Sequence, residues 1–353
     1  MILVKRLLVA FAIVFICIIA IVGLYRYTSF SMYSGGFNRK IIFSNPRLLQ
    51  TVDLKVSQNY FSGLSVNHLY IANYSRTAML QEYDIFSSQV MNFYVGKPDT
   101  GRIAWKMIHS QVDSPNVYLM EGWTPSILNA NLSEKFTHRV NLHPPNFTSS
   151  LALTPGSFLL RSFEKSLNQY ILSKVIIDKA DSSKFVLEKE GEGVFSLDGF
   201  LLKGVNGGRI VYVYFYQNKF HCLDSNLKIL YTAHTIDTIR HAHLKLSEIE
   251  SEHKITMSAP PFIVNNAACL NSHYLLINSL VCADNEDRDR FESSSVIDVY
   301  SLSSGHYLSS FYLNNLNGKR LTDLRLCGDT LFALYDRYIG VYTIHNQLPV
   351  NRD

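Results

Sequence analysis

The sequence predicts an all-β fold: six four-stranded antiparallel blades closed into a ring, preceded by one N-terminal transmembrane helix. Three observations carry this. Tyr and Phe are abundant, 21 of each against 2 Trp, and aromatic side chains favour pleated surfaces. Short apolar strands separated by polar turns recur at a spacing of about 40 to 60 residues, the period of a propeller blade. One uncharged apolar run of 18 residues, Leu7 to Leu24, opens the chain.

That run follows Lys5 and Arg6 and is long enough, as a helix, to span a bilayer core. Tyr25-Arg26-Tyr27 follows it, without the small residues of a cleavage site, so an uncleaved anchor is expected over residues 1–27. Bulky Val14-Phe15-Ile16 beside Cys17 argues against lipidation. The two basic residues ahead of the run orient the N-terminus to the cytoplasm and the remainder to the periplasmic or extracytoplasmic side. Residues 28–38 are polar and Gly/Ser-rich and read as a linker. The ring is expected over 39–345, and 346–353 reads as a polar tail.

Six hairpins align along the chain. They cover His68–Ser87, Asn116–Leu132, Ser157–Val175, Arg209–Asp224, His273–Leu302 and Thr330–Ile344. The fourth is the clearest. Tyr212, Tyr214 and Tyr216 alternate with Val211, Val213 and Phe215, so both faces are apolar, as in a strand covered on both sides. Flanking strands complete the unit. Those expected before hairpins are Ile103–Ile108, Ser150–Thr154, Val194–Lys203, Phe262–Leu270 and Leu321–Cys327. Those expected after them are Gln89–Gly96, Phe136–Leu142, Leu227–Ala233 and His306–Leu313. This is the signature of a six-bladed β-propeller; a seventh blade requires Lys40–Asn67 to form one alone. The sixth hairpin lacks an outer strand, and Arg39–Ser44 is the segment expected to supply it and close the ring.

With VYVYFYQN (Val211 to Asn218), HTIDT (His234 to Thr238) and SVIDVYSLSSGHYLSSFYL (Ser295 to Leu313), the chain resembles uncharacterised bacterial membrane-anchored six-bladed propeller proteins. More distantly it resembles the TolB-like and NHL-like group. The resemblance spans roughly residues 40 to 345. It implies a propeller in the cell envelope and no particular activity, because propellers host many functions.

The net charge of +4 is small and scattered, which excludes a nucleic-acid footprint. Nucleophile-elbow, Walker, dinucleotide and HExxH motifs are all missing from the sequence, so no enzyme class is read and no cofactor is expected. His241 and His243 have a spacing that holds a metal in a strand, but their setting fits an exposed strand edge, with Asp237 making a turn or a bond between blades. Cys222, Cys269, Cys282 and Cys327 lie on or beside strands and read as buried thiols; the expected compartment permits disulfides, sequence does not pair them, and Cys269 and Cys282, flanking the first strand of one hairpin, are the pair to test. The acidic insertion Ala283–Ser293 lacks a calcium-loop pattern. It reads as a solvated loop or, through Asp284, Glu286, Asp287 and Asp289, as a partner-binding loop.

Two functions follow as expectations. The first is a membrane-tethered scaffold binding an envelope protein. The alternative is a small-ligand-binding or calcium-dependent hydrolytic propeller. That chemistry needs polar side chains converging on the central channel, and Asp198, Asn206, Asn265, Asn266 and Asp323 are the candidates.

Overall fold

A computed structural model describes residues 2–33, 36–42, 46–96, 104–133, 137–142, 144–178, 183–188, 194–204, 208–249, 254–345 and 347–348. Six four-stranded antiparallel sheets form the body. The first joins β2 (Asn59–Leu64), β3 (His68–Asn73), β4 (Met79–Asp84) and β5 (Val90–Tyr94). The second joins β6 (His109–Asp113), β7 (Asn116–Glu121), β8 (Ser126–Asn131) and the two-residue β9 (His138–Arg139). The third joins β10 (Phe147–Thr154), β11 (Ser157–Glu164), β12 (Gln169–Ile176) and β13 (Lys184–Val186). The fourth joins β14 (Gly199–Lys203), β15 (Arg209–Tyr214), β16 (Lys219–Asp224) and β17 (Ile229–His234).

After a two-stranded ribbon, β18 (Leu246–Ile249) with β19 (Lys254–Met257), comes the fifth blade. It holds β20 (Asn265–Leu270), β21 (Tyr274–Ser279), β22 (Ser294–Ser301) and β23 (Tyr307–Asn314). The sixth holds β24 (Asp323–Cys327), β25 (Thr330–Tyr335), β26 (Tyr338–Thr343) and, from the other end of the chain, β1 (Arg47–Asp53). The first strand of each blade lies beside the first strand of the next, and β24 lies beside β2, which closes the ring.

All six expected hairpins are present in register. Their two-sided apolar pattern has a direct cause: each blade is buried on both faces by its neighbours. Blades 4 and 5 bury Val211, Val213 and Phe220 against Leu275, Ile277 and Tyr300. Tyr212 and Tyr214 point the other way, into the joint with blade 3, beside Leu159 and Leu172. Corresponding cores fill the other four joints. Each fully buried Val, Leu, Ile or Phe contributes about 1.5 to 3 kcal/mol, so the joints hold the ring together.

The flanking strands differ more. Within the expected strand Ile103–Ile108 lies a 3-10 turn, Trp105–Met107, and the strand is the polar HSQVD that follows. Likewise Val194–Leu197 is a 3-10 turn and β14 starts at Gly199. First strands surround a narrow axis, where small and polar side chains such as Ser110 and Gln111 fit, so apolarity is a poor guide to them.

Closure also uses a different segment. Arg47–Asp53 pairs with β26 from Arg47–Thr343 to Asp53–Tyr338, so residues 40–67 do not form a seventh blade. The segment expected to close the ring, Arg39–Ser44, instead lies along blade 5. Ile41 bridges Ser310 of β23, Ile42 N donates to Ser310 O at 2.8 Å and Ser310 N donates to Lys40 O at 2.9 Å. Ser44 lies outside the described residues. At the other end, Leu348 of the expected tail packs on the core between blades 5 and 6.

The helix α1 (Ile2–Tyr33) covers the apolar run and continues through part of the expected linker. Its described side chains, at residues 5–6 and 9–23, are all exposed. Among the described residues no helix is long and apolar enough to cross a membrane. All five cysteines are free thiols, so Cys269 and Cys282 are not joined. Burial pushes the Cys269 thiol up to about 12 and the Cys282 thiol up to about 11. His241 and His243 lie in irregular chain after β17, not in a strand.

Candidate functional site

The residues expected to converge on the channel bind neighbouring blades. Asp198 accepts from Arg161 Nη2 of blade 3 at 2.6 Å, and burial raises its pKa against the pull of that guanidinium. Asn265 Nδ2 donates to Tyr214 O and Gln217 O of blade 4. Asn266 Nδ2 donates to Leu321 O at the entry to blade 6. Asp323 accepts from Phe61 N of blade 1 at 2.9 Å, while Arg325 Nη2 donates to Phe61 O at 2.8 Å. Asn206 lies outside the described residues.

Two further links complete the ring. Ser62 Oγ donates to Ser110 O, and Gln111 exchanges two hydrogen bonds with the backbone of Ala152. Each of these polar side chains therefore bridges a joint. Among the described residues no group of three or more His, Cys, Asp or Glu could hold a metal.

The acidic insertion forms a socket. Arg39 enters it fully buried: Nε and Nη2 donate to the two oxygens of Asp298 at 2.8 and 3.1 Å, Nη1 donates to Val281 O at 2.9 Å, and Nη1 also pairs with Glu286. Burial opposes the guanidinium charge, but Asp298 and Glu286 outweigh it and the pKa of Arg39 rises. Asn285 clasps the backbone of Arg39 on both sides, and Asp284 N donates to Phe37 O.

Of the four residues expected to bind a partner, Glu286 has its side chain fully buried in this socket. Asp287 caps the short helix α2 (Arg288–Ser293) by accepting from Arg290 N. Asp284 and Asp289 are exposed. Nearby Asp237 is buried in the turn after β17, accepting from Thr235 Oγ1 at 2.5 Å and Ile239 N at 2.9 Å. Burial raises its carboxyl to about 6.

At the axis a stack crosses blades 1 and 2. Tyr60 lies 4.5 Å from the His109 ring at 17° and 4.5 Å from the Tyr74 ring. Tyr60 Oη accepts from Ser110 N at 2.7 Å. Burial raises Tyr60 to about 12, and burial followed by the Arg325 charge lowers His109 to about 4. His109 nevertheless keeps an exposed surface, and its lowered pKa leaves the imidazole neutral at physiological pH.

Sequence reasoning missed a set of exposed apolar tips. In an antiparallel four-stranded blade, the turn between second and third strands and the entry to the first strand lie at one end. At that end blades 1 to 3 expose Tyr74, Met107, Trp123 and Leu167, Trp123 at 78%. The turns beneath are fixed from inside. Asn73 Oδ1 accepts from Ser75 N and Arg76 N while its Nδ2 donates to Ser57 O. The buried Glu121 accepts from Trp123 N and Thr124 N at 2.5 and 2.8 Å. A Cβ on Gly122 would sit 1.8 Å from Phe147 O, so only glycine lets the turn pass there. Among the described residues the opposite end exposes Val66 and Phe86 in the turns of blade 1, with Ile229 and Leu230 of blade 4 and Leu48 and Leu49 of blade 6 at the starts of outer strands. The signal available in sequence was Trp123 itself, an aromatic residue in a polar turn.

Strand order and ring closure define the chain as a six-bladed β-propeller. No protein-family model matches it, and no curated protein matches it. Among solved structures it is similar to the β-propeller domain of Cps50 (Swd1) from Myceliophteria thermophila, at 10% identity and a TM-score of 0.43, covering 84% of this chain and 99% of that one. It is also similar to a chain of the mitotic checkpoint complex, at 10% identity and a TM-score of 0.46, covering 87% and 92%.

Proposed function

We propose that this chain is a membrane-tethered scaffold that binds a protein partner in the cell envelope. The observation that carries the binding reading is the display of Tyr74, Trp123 and Leu167 on one end of three adjacent blades, with buried polar groups fixing the turns under Tyr74 and Trp123. Apolar side chains left in water cost free energy that a partner recovers, and a pre-ordered turn loses little entropy on binding. Trp and Tyr are also the side chains that dominate interface energetics.

The anchor reading rests on the uncharged run Leu7 to Leu24 and on Lys5 and Arg6 ahead of it, which orient the ring to the extracytoplasmic side. The resemblance to bacterial envelope propellers supports the same compartment. Phe37 and Arg39 dock on blades 4 and 5 soon after α1 ends, so the ring is held close to its tether.

In-cell crosslinking of the full-length protein, with mass spectrometry of attached chains, tests the scaffold. One dominant partner, lost on Trp123→Ala, is expected; no partner above background overturns the reading. Carbonate washing of membranes tests the tether separately, and release of the full chain into the wash overturns that part.

A further inference from the structure

The tips of blades 1 to 3 have charged neighbours of one sign. Arg76 follows Tyr74 in the same turn, Lys106 precedes Met107 and Lys165 lies two residues before Leu167; all three are exposed. Among the described residues none of the three forms an ion pair. The carboxylates bordering blades 1 to 3 at the same end are engaged: Asp323 with Arg325 at 3.0 Å, Asp198 with Arg161 at 2.6 Å and Glu164 with Lys184 at 3.0 Å, while the exposed Asp284 and Asp289 stand in blade 5, across the ring from blade 2. Glu121 is buried under its own turn. Asp336, in the corresponding turn of blade 6, accepts from Gln58 N and Ser57 Oγ. Unpaired positive charge therefore alternates with exposed apolar side chains over three blades.

We infer that this end of blades 1 to 3 binds an acidic segment of a partner protein that carries apolar or aromatic side chains. Its carboxylates pair with Arg76, Lys106 and Lys165, and its apolar groups cover Tyr74, Met107, Trp123 and Leu167. The inference rests on the scaffold reading and specifies the chemistry of its partner. Like charges on the three cations disfavour a basic segment, which supplies specificity, and attraction at a distance speeds encounter. The apolar tips supply the residence time. The ring itself need not move, because the turns under Tyr74 and Trp123 are already fixed.

The test uses the full chain in neutral detergent, with two synthetic peptides as probes. One alternates glutamate with leucine and phenylalanine; the other has lysine in place of each glutamate. Binding is read as the part of the tryptophan emission change that Trp123→Phe removes. The acidic peptide is expected to bind, more weakly as salt rises, and the lysine peptide is not. The triple variant Arg76→Glu, Lys106→Glu, Lys165→Glu should reverse that preference. Trp123→Ala should weaken acidic-peptide binding by about tenfold or more, measured by a labelled peptide.

All four positions are exposed, and an unchanged melting temperature confirms that the variants fold. Equal binding of both peptides, or of neither, overturns the inference. Charge-dependent binding of phosphatidylglycerol vesicles without acidic-peptide binding also overturns it, in favour of a lipid surface. A crosslinked partner retained by the triple variant sinks the inference and leaves the scaffold standing; a wild type with no partner sinks the scaffold itself.

Discussion

Arg39→Met tests whether the strap is held by its ion network. The methionine keeps an apolar stem beside Phe37, whose ring lies 4.9 Å from the guanidinium carbon. It removes the donors to Asp298, Val281 O and Glu286. Both carboxylates are then left in a site with side-chain exposures of 0% and 1%. Asp298 retains Ser310 Oγ at 2.5 Å, and Glu286 retains Ala283 N at 2.7 Å and Tyr312 Oη, so their hydrogen bonding is only partly lost. Their charge compensation is lost entirely.

Removing one side of a buried pair costs about 3 to 5 kcal/mol. At about 2 to 4 °C per kcal/mol in domains of 150 to 250 residues, the melting temperature should drop by about 6 to 20 °C, nearer the lower figure in this larger chain. Thermal denaturation of the full chain in detergent, followed by circular dichroism, measures it. A second variant separates charge from contact: Arg39→Met with Glu286→Leu and Asp298→Leu removes all three charged groups and should recover much of the loss. A melting temperature for Arg39→Met within about 2 °C of wild type, less than 1 kcal/mol by the same scale, refutes the argument. The strap would then be held by Phe37 and backbone bonds alone.

Two further outcomes follow from particular residues. The Asp237 carboxyl rises from 3.8 to about 6 because it is buried. Between those values the folded chain keeps a proton that the unfolded chain has released. The Asp237 contribution therefore favours folding at low pH and is lost as pH climbs through about 6, by about 3 kcal/mol in all. Asp237→Asn abolishes it, so the unfolding free energy of wild type minus variant should fall from pH 4 to pH 7, and urea titrations giving a flat difference count against the burial argument. Gly122→Ala drives a methyl into Phe147 O. It should destabilise the joint between blades 2 and 3 by about 1 to 3 kcal/mol and weaken partner capture through the displaced Trp123. Unchanged melting and unchanged capture would show that the turn can shift freely.

The hairpins were legible because their determinants are local. The strand of alternating Tyr and Val from Val211 to Tyr214 pairs with the strand that follows it, and the flanking turns are written in Gln217-Asn218 and Asp224. Two apolar faces per strand told of burial on both sides, which requires stacked blades. The first strands were less legible, since HSQVD carries little apolar signal. The tips were overlooked because Trp123 looks like any aromatic residue until the fold places it at the same end as Tyr74 and Leu167.

Sequence alone determined the all-β class, the number of repeats, the six hairpins and the apolar helix ahead of them. These depend on periodicity and turn chemistry within about one blade of chain. Tertiary structure decided which strand closes the ring and what the polar residues do. Arg39 meets Asp298 across 259 residues and Asp323 meets Phe61 across 262. Nothing in the local pattern of either partner distinguishes a joint between blades from a channel wall or a solvated loop. Closure brings Asp323 to Phe61, because a ring makes neighbours of its first and last blades; Arg39 reaches Asp298 because the segment ahead of β1 lies along blade 5, where a buried charge must find a partner.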